Sequence, residues 1–322
     1  NSENTVSTMA NTAEDIRTSG TAIKGIHHIG ISVADVTASA AFLEDAANLT
    51  RLGEGSFSGT GIASSAPSAS LIMKGPNAYL ELMQFDSQTP EPVPVEGPGF
   101  THLCFQSPSE HLMYKGFKDA GATAVSWGEG PVDLGGYGVH YAYLRDADKT
   151  MYEVEQVDRP PFEGQVWIGH VALASHDIDR LVEFYSNVFG IEPYRRVNKA
   201  TGPRVDEVTG IKDARMRAAW FNVANMVFEI WEFVNPVTPD TSAARPFEKV
   251  GYNKFAFEVS DLTKEITRLK ARDVKFASEP LATPIGVEAY AADPDGNRFS
   301  LVQLNDSQLS IDHLKNITWK TA

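Results

Sequence analysis

Hydrophobic and polar residues alternate through residues 26–33, with Ile29, Ile31 and Val33 on one face and His28, Gly30 and Ser32 on the other. That period of two is the mark of a half-buried strand. The same register returns as His102-Leu103-Cys104-Phe105, His170-Val171-Ala172-Leu173 and Lys254-Phe255-Ala256-Phe257. Each copy reads polar head, large apolar, small, large apolar, so the chain is expected to be four copies of one supersecondary unit.

The segments after these strands repeat as well. Asp35, Asp177 and Asp261 are expected to cap helices, the clearest running through Ile178, Leu181, Val182, Tyr185 and Val188 to a stop at Gly190. In unit two a helix is expected from about Ser109 to Ala120. Three strands close each unit: two weak ones within 51–74 and one at 78–85 in unit one, then 139–144 and 151–156 in unit two. Units three and four repeat this at 193–198, 215–223 and 226–234, and at 274–278, 286–291 and 298–304. The order strand, helix, three strands gives an α+β fold. A proline-rich connector at 86–98 joins units one and two, and a short boundary at 158–164 divides the chain. The expected organisation is a mobile leader at 1–22, a module at 23–158, a second module at 165–304 and a tail at 305–322.

Composition narrows the function classes. With 28 Lys and Arg against 42 Asp and Glu, the 322-residue chain carries a formal charge of −14, which repels nucleic acid and anionic membranes. A single cysteine, Cys104, excludes an internal disulfide and suits a cytoplasmic setting. No stretch reaches the roughly 20 apolar residues of a membrane span.

The chemistry sits at two repeated positions. Three of the four first strands begin with histidine (His28, His102, His170), and three of the four last strands place a glutamate in register (Glu81, Glu153, Glu229). Leu80 and Leu82 flank Glu81, and Tyr152 and Val154 flank Glu153, so by strand parity these carboxylates, and likewise the three histidines, face away from the packing side, into a cupped sheet. Two imidazoles and two carboxylates converging there suit a divalent metal such as Fe, Mn, Ni or Zn. By the same parity His27 reads as a strand-end histidine on the apolar face, at most one of His140 and Tyr143 faces the cup, and Trp220 and Trp231 read as packing.

This pattern resembles the vicinal oxygen chelate superfamily, which includes glyoxalase I, extradiol dioxygenases and bleomycin-resistance proteins. The resemblance covers residues 24 to 304 and implies two glyoxalase-like modules, each made of two βαβββ units around a metal. It carries the metal ligands onto His28, Glu81, His102 and Glu153, with Glu81 or Glu153 as proton-shuttling base. Superfamily members can also swap units, which gives His102, Glu153, His170 and Glu229 instead. The short connectors favour the unswapped set. In unit four Lys254 and Ser300 replace the ligands, which departs from the pattern. Tyr143, ten residues before Glu153, matches the tyrosine that precedes the glutamate ligand of the dioxygenases. The implied activity is glyoxalase-like isomerisation or lyase chemistry on a small oxygenated substrate. Ring-cleaving dioxygenation or metal-free ligand binding are the alternatives, and a homodimer stays open.

Overall fold

The computed structural model describes residues 15–58, 65–86, 90–243, 245–314 and 318–320. Unit one comprises β1 (Ile23–Val33), α1 (Val36–Ala47), β2 (Thr50–Glu54), β3 (Ala69–Lys74) and β4 (Tyr79–Gln84). Unit two comprises β5 (Gly99–Pro108), α2 (Met113–Asp119), the short β6 (Thr123–Ala124) and β7 (Val132–Asp133), β8 (Val139–Arg145) and β9 (Met151–Val157). After β10 (Phe162–Glu163), unit three contains β11 (Trp167–Ala174), α3 (Ile178–Phe189), β12 (Arg195–Thr201), α4 (Pro203–Thr209), β13 (Arg215–Asn222) and β14 (Val227–Asn235). Unit four contains β15 (Gly251–Val259), α5 (Leu262–Lys270), β16 (Leu281–Thr283), β17 (Gly286–Ala292) and β18 (Arg298–Leu304), and β19 (Thr318–Trp319) pairs with β10.

Local chemistry starts the helices where the sequence suggests. Asp35 accepts from the Thr37 and Ala38 amides, Asp177 from Arg180 and Asp261 from Lys264, each at about 3.0 Å. Such a cap is worth about 1 kcal/mol. Gly190, at φ +66°, ends α3 in the left-handed conformation that glycine adopts at least cost. Unit two lacks a capping side chain, and its helix shortens to the seven residues of α2.

Two curled mixed sheets result, ordered β2-β3-β4-β1-β15-β18-β17-β16 and β6-β8-β9-β5-β11-β14-β13-β12. First and last strands of each unit pair parallel, and antiparallel pairing of first strands, β1 with β15 and β5 with β11, joins the units. Unit one therefore shares a sheet with unit four, and unit two with unit three. The favoured modules 23–158 and 165–304 are not the sheets that form. Short connectors show only that successive units are neighbours, and units one and two are neighbours across the core, where Phe42 of α1 meets Phe117 of α2 at 5.5 Å between ring centroids. Glycine permits the β1–β15 junction: a Cβ on Gly30 would stand 2.2 Å from Asn253 Oδ1.

One continuous core fills the space between the helices and the apolar faces of both sheets. Tyr185 of α3 packs on Phe228 of the second sheet at 4.6 Å, and Phe228 on Phe255 of the first at 5.3 Å. Burying side chains of this size stabilises the fold by roughly 1.5–3 kcal/mol each.

Four details differ from expectation. Residues 1–14 of the leader lie outside the described residues, while 15–22 are packed: Ile16 is buried and the Ala22 amide donates to Glu265 at 2.7 Å. Residues 307–313 of the tail form two 3-10 turns over the first sheet, where Ile311 and Leu314 pack with Phe57, Tyr79 and Val302. The strand expected at 274–278 is a single bridge from Phe276 to Ala291, and α4 interrupts unit three without a periodic signal long enough to announce it. Among the described residues no helix is long and apolar enough to cross a membrane.

Candidate metal centre

Pairing β5 with β11 brings the first strands of units two and three side by side, and their parallel partners β9 and β14 flank them. His102, Glu153, His170 and Glu229 thereby meet in the cup of the second sheet, all buried, with one ligating atom from each lying within 4.8 Å of the others. His102 Nε2 lies 3.2 Å from both His170 Nε2 and Glu153 Oε2. His170 Nε2 is 2.7 Å from Glu153 Oε2 and from Glu229 Oε2.

Protons cannot satisfy this arrangement. A ring nitrogen has either one N–H or one lone pair, yet His170 Nε2 has three close neighbours. Although it lies at 2.7 Å, Glu229 Oε2 finds no hydrogen-bond geometry and is buried without a partner. Four donor atoms aimed at one region, with one buried oxygen orphaned, fit a bound cation of intermediate softness. A hydrogen-bonded shell orients the ligands. Thr101 Oγ1 donates to Ala172 O at 3.4 Å and lies 3.1 Å from His102 Nδ1, so it can accept an Nδ1 proton when Nε2 turns its lone pair to a metal. Trp167 Nε1 donates to Gln106 at 2.9 Å, and Gln106 Nε2 donates to Glu155 at 2.7 Å. Glu155 Oε1 in turn stands 3.6 Å from His170 Nδ1.

Electrostatics separate the carboxyl groups. Burial penalises the Glu153 charge, but His170 and His102 outweigh it and hold its pKa down to about 2. Burial and the Glu153 charge push Glu155 up to about 8. Burial opposes the His170 imidazolium too, yet Cys104, Glu229 and Glu153 raise its pKa well above the ordinary value. Burial, then Glu153, keeps the Tyr143 phenol protonated. Tyr143 faces the cup, its ring centroid 5.0 Å from that of His102, whereas His140 points outward to Asp158 at 3.0 Å.

A cavity of about 350 Å³ opens from this cluster, walled by Tyr141, Tyr143, Trp220 and Trp231 and carrying Arg195 and Lys199. The tryptophans pack edge to face at 5.7 Å, but they also line the cavity, which alternation alone could not distinguish from core packing. Glu155 is a site residue that the repeat pattern does not single out; it shares the parity of Glu153, and that is the signal by which it could be found.

His28 and Glu81, favoured as ligands from the connectors, lie in the other cup with Lys254 and Ser300. Glu81 there accepts from Ser56 Oγ at 2.8 Å, from Ser58 Oγ and from the Phe57 and Ser58 amides. The Lys254 ammonium spends its three donors on Ser58 Oγ (2.6 Å), Glu288 Oε2 (3.0 Å) and Tyr290 Oη (3.0 Å). Burial opposes its charge, but Glu288, Tyr290 and Glu81 raise its pKa. His28 is pushed well down by burial and then by Lys254, so it is neutral. His27 does not take the apolar face. A bulge in β1 turns it beside His28, Nδ1 to Nδ1 at 2.8 Å, among Phe57 and Tyr79.

Comparison with known proteins agrees with the fold. Residues 167–301 match the Glyoxalase/Bleomycin resistance protein/Dioxygenase superfamily. A lactoylglutathione lyase of Arabidopsis thaliana is 26% identical over 136 residues, which is 42% of this chain and 43% of that protein. The chain thus matches less than half the length of that relative. Glyoxalase I from Zea mays superposes with a TM-score of 0.63 at 18% identity, covering 90% of this chain and 95% of that one. A protein of Bacillus subtilis assigned provisionally as a dioxygenase gives 0.59 at 11% identity, covering 92% and 91%. Residues 167–301, most of units three and four, therefore form a domain that matches the Glyoxalase/Bleomycin resistance protein/Dioxygenase superfamily, and the chain as a whole shares the fold of glyoxalase I.

Proposed function

We propose that the chain is a metal-dependent vicinal oxygen chelate enzyme of the glyoxalase type, acting as an isomerase or lyase on a small oxygenated substrate. His102, Glu153, His170 and Glu229 would hold one divalent metal, Fe, Mn, Ni or Zn. The observation that carries this reading is the convergence of their four donor atoms with Glu229 Oε2 left unpartnered. Such a metal supplies Lewis acidity toward vicinal oxygens.

The chain's own residues divide the remaining work. Glu153 lies against both histidines and Glu229 against His170, so either carboxylate is placed to exchange a proton with a substrate in the cup. Both line the cavity, and Glu153 or Glu229 is the carboxylate that takes and returns the proton. Glu81, the other base that the family resemblance implies, faces the first cup and cannot serve here. The aromatic walls exclude water and seat an apolar portion of the substrate. Two carboxylates in the ligand set favour isomerisation over ring cleavage, for which two histidines and one carboxylate are usual.

Metal analysis of the purified chain, combined with hemithioacetal turnover in deuterated water, tests the reading. Expected are one metal per chain and solvent deuterium in the product, both lost in His170→Ala. Oxygen uptake with catechols and no hemithioacetal turnover would instead select the dioxygenase. A metal-free native chain would select ligand binding alone.

A further inference from the structure

The register that places His102 and Glu153 in the second cup repeats two residues further along both strands. Parity carries Cys104 on β5 and Glu155 on β9 to the same concave face, a second tier beside the first. His170, paired with Cys104 across β5 and β11, divides its ring nitrogens between the tiers. Its Nε2 is 2.7 Å from Glu153 Oε2 and from Glu229 Oε2, while its Nδ1 stands 3.6 Å from Glu155 Oε1.

One ligating atom from each of Cys104, Glu153, Glu155 and His170 lies within 4.8 Å of the others, and all four residues are buried. Donors held about 2.0–2.3 Å from a tetrahedral cation lie roughly 3.3–3.8 Å apart, so movements of about an ångström close the set. Weak commitments leave it free to close: Cys104 Sγ donates to Phe105 O at a long 3.5 Å, and Glu155 gives one oxygen to Gln106 at 2.7 Å while the other turns to His170. Glu155 also lines the cavity of about 350 Å³, which gives an ion a way in. The outer set, with His102 and Glu229, offers nitrogen and oxygen alone. Exchanging those two for Cys104 and Glu155 adds a sulfur, and thiolate selects softer cations than imidazole and carboxylate do.

We propose that Cys104, Glu153, Glu155 and His170 form a second, inner metal position selective for thiophilic divalent cations such as cadmium, which competes with the outer set because the two share Glu153 and His170. As the sulfur–metal bond forms, the Sγ–H bond breaks and its proton leaves to water. The inner position needs no part of the proposed function; only its competition with a catalytic cation rests on that reading.

Titration of the manganese-loaded full chain with cadmium tests this, with free Mn(II) followed by electron spin resonance and the thiolate-to-cadmium charge-transfer band by ultraviolet absorption. Expected is one manganese released per cadmium bound, with the band growing in step. Cys104→Ser should abolish the band and weaken cadmium roughly 100-fold while manganese affinity stays within about threefold. His102→Ala should do the reverse, losing manganese and keeping the band. Should Cys104→Ser fail to fold, Glu155→Gln leaves the thiol in place and should weaken cadmium roughly tenfold with no effect of that size on manganese. Cadmium that displaces manganese without a thiolate band would overturn the proposal, as would cadmium bound with the manganese retained. Manganese held by the outer set with no band on adding cadmium sinks the inner position and spares the proposed function; a band on a chain that holds no manganese does the opposite.

Discussion

The two cups are built from the same strands in the same register, and they end in opposite states. In the second sheet the repeated positions hold His102, Glu153, His170 and Glu229, which crowd one another without satisfying one another, beside a cavity of about 350 Å³. In the first sheet they hold His28, Glu81, Lys254 and Ser300, and there an ammonium and two serines meet the carboxylates, leaving His28 Nε2 and Glu288 Oε1 without partners. Lys254 supplies the cation, Ser56 and Ser58 saturate Glu81, and Phe57, Ile311 and Leu314 fill the bowl. The register delivers polar groups to the concave face in both cases. What separates a cup that could hold a cation from a sealed one is whether the chain neutralises those groups itself.

The largest difference should appear on removing one carboxylate or imidazole from each cup. His170→Ala is expected to lower metal affinity more than the 10- to 100-fold typical of losing a supporting hydrogen bond, because it deletes a ligand. Glu81→Gln should leave metal content unchanged. Metal measured by mass spectrometry after dialysis decides it, and loss in Glu81→Gln with retention in His170→Ala would exchange the roles of the cups.

Much of this is legible in the sequence. The four first strands, their caps at Asp35, Asp177 and Asp261, and the inward parity of His102 and Glu153 all follow from local periodicity, which the backbone enforces residue by residue. The pairing of units does not. β1 can pair antiparallel with β15 or with another first strand at similar backbone cost, and the choice rests on contacts distant in sequence, such as Gly30 against Asn253. The connectors carry a weak trace of the answer. Nine residues separate β9 from β11, which share a sheet, whereas 14 separate β4 from β5 and 15 separate β14 from β15, which do not. His27 escapes for a local reason, since a bulge defeats alternation.

Next in size is the sealed cup's own cation. Lys254→Met removes the charge that Glu288 and Glu81 face while leaving both carboxylates buried, and breaking such a cluster costs about 3–5 kcal/mol. Urea unfolding of the metal-free chain should show that loss, with metal affinity of the folded variant unaltered. A loss below about 1 kcal/mol would mean that the ammonium is not what holds the first cup closed.

The cups should also differ in how they answer to pH. In the metal-free chain the raised His170 pKa means that its stabilising charge is fully present below about pH 6.5 and is lost as pH rises through the folded value. Glu153 works in the other direction: its depressed pKa adds stability above about pH 4.5 that disappears as pH falls toward 2. A metal must displace the His170 proton, so its apparent affinity should rise about tenfold per pH unit from pH 6.5 up to the folded pKa. Calorimetry in buffers of different ionisation enthalpy would count the proton released. The first cup contributes none, because His28 is already neutral.

The smallest expected effect tests the parity on which the cup rests. His140 and Tyr143 lie three residues apart on β8, so they take opposite faces: Tyr143 beside His102, His140 outside against Asp158. An exposed imidazole–carboxylate pair of this kind is worth less than about 1 kcal/mol, so His140→Gln should shift stability by about 0.5 kcal/mol or less and leave metal binding untouched. Tyr143→Phe removes a hydroxyl from a cavity wall and nothing from the core, so it should act on substrate affinity rather than on stability. If the two variants exchanged these effects, β8 would be paired one residue out of register with β9, which would turn Tyr143 out of the cup and His140 into it.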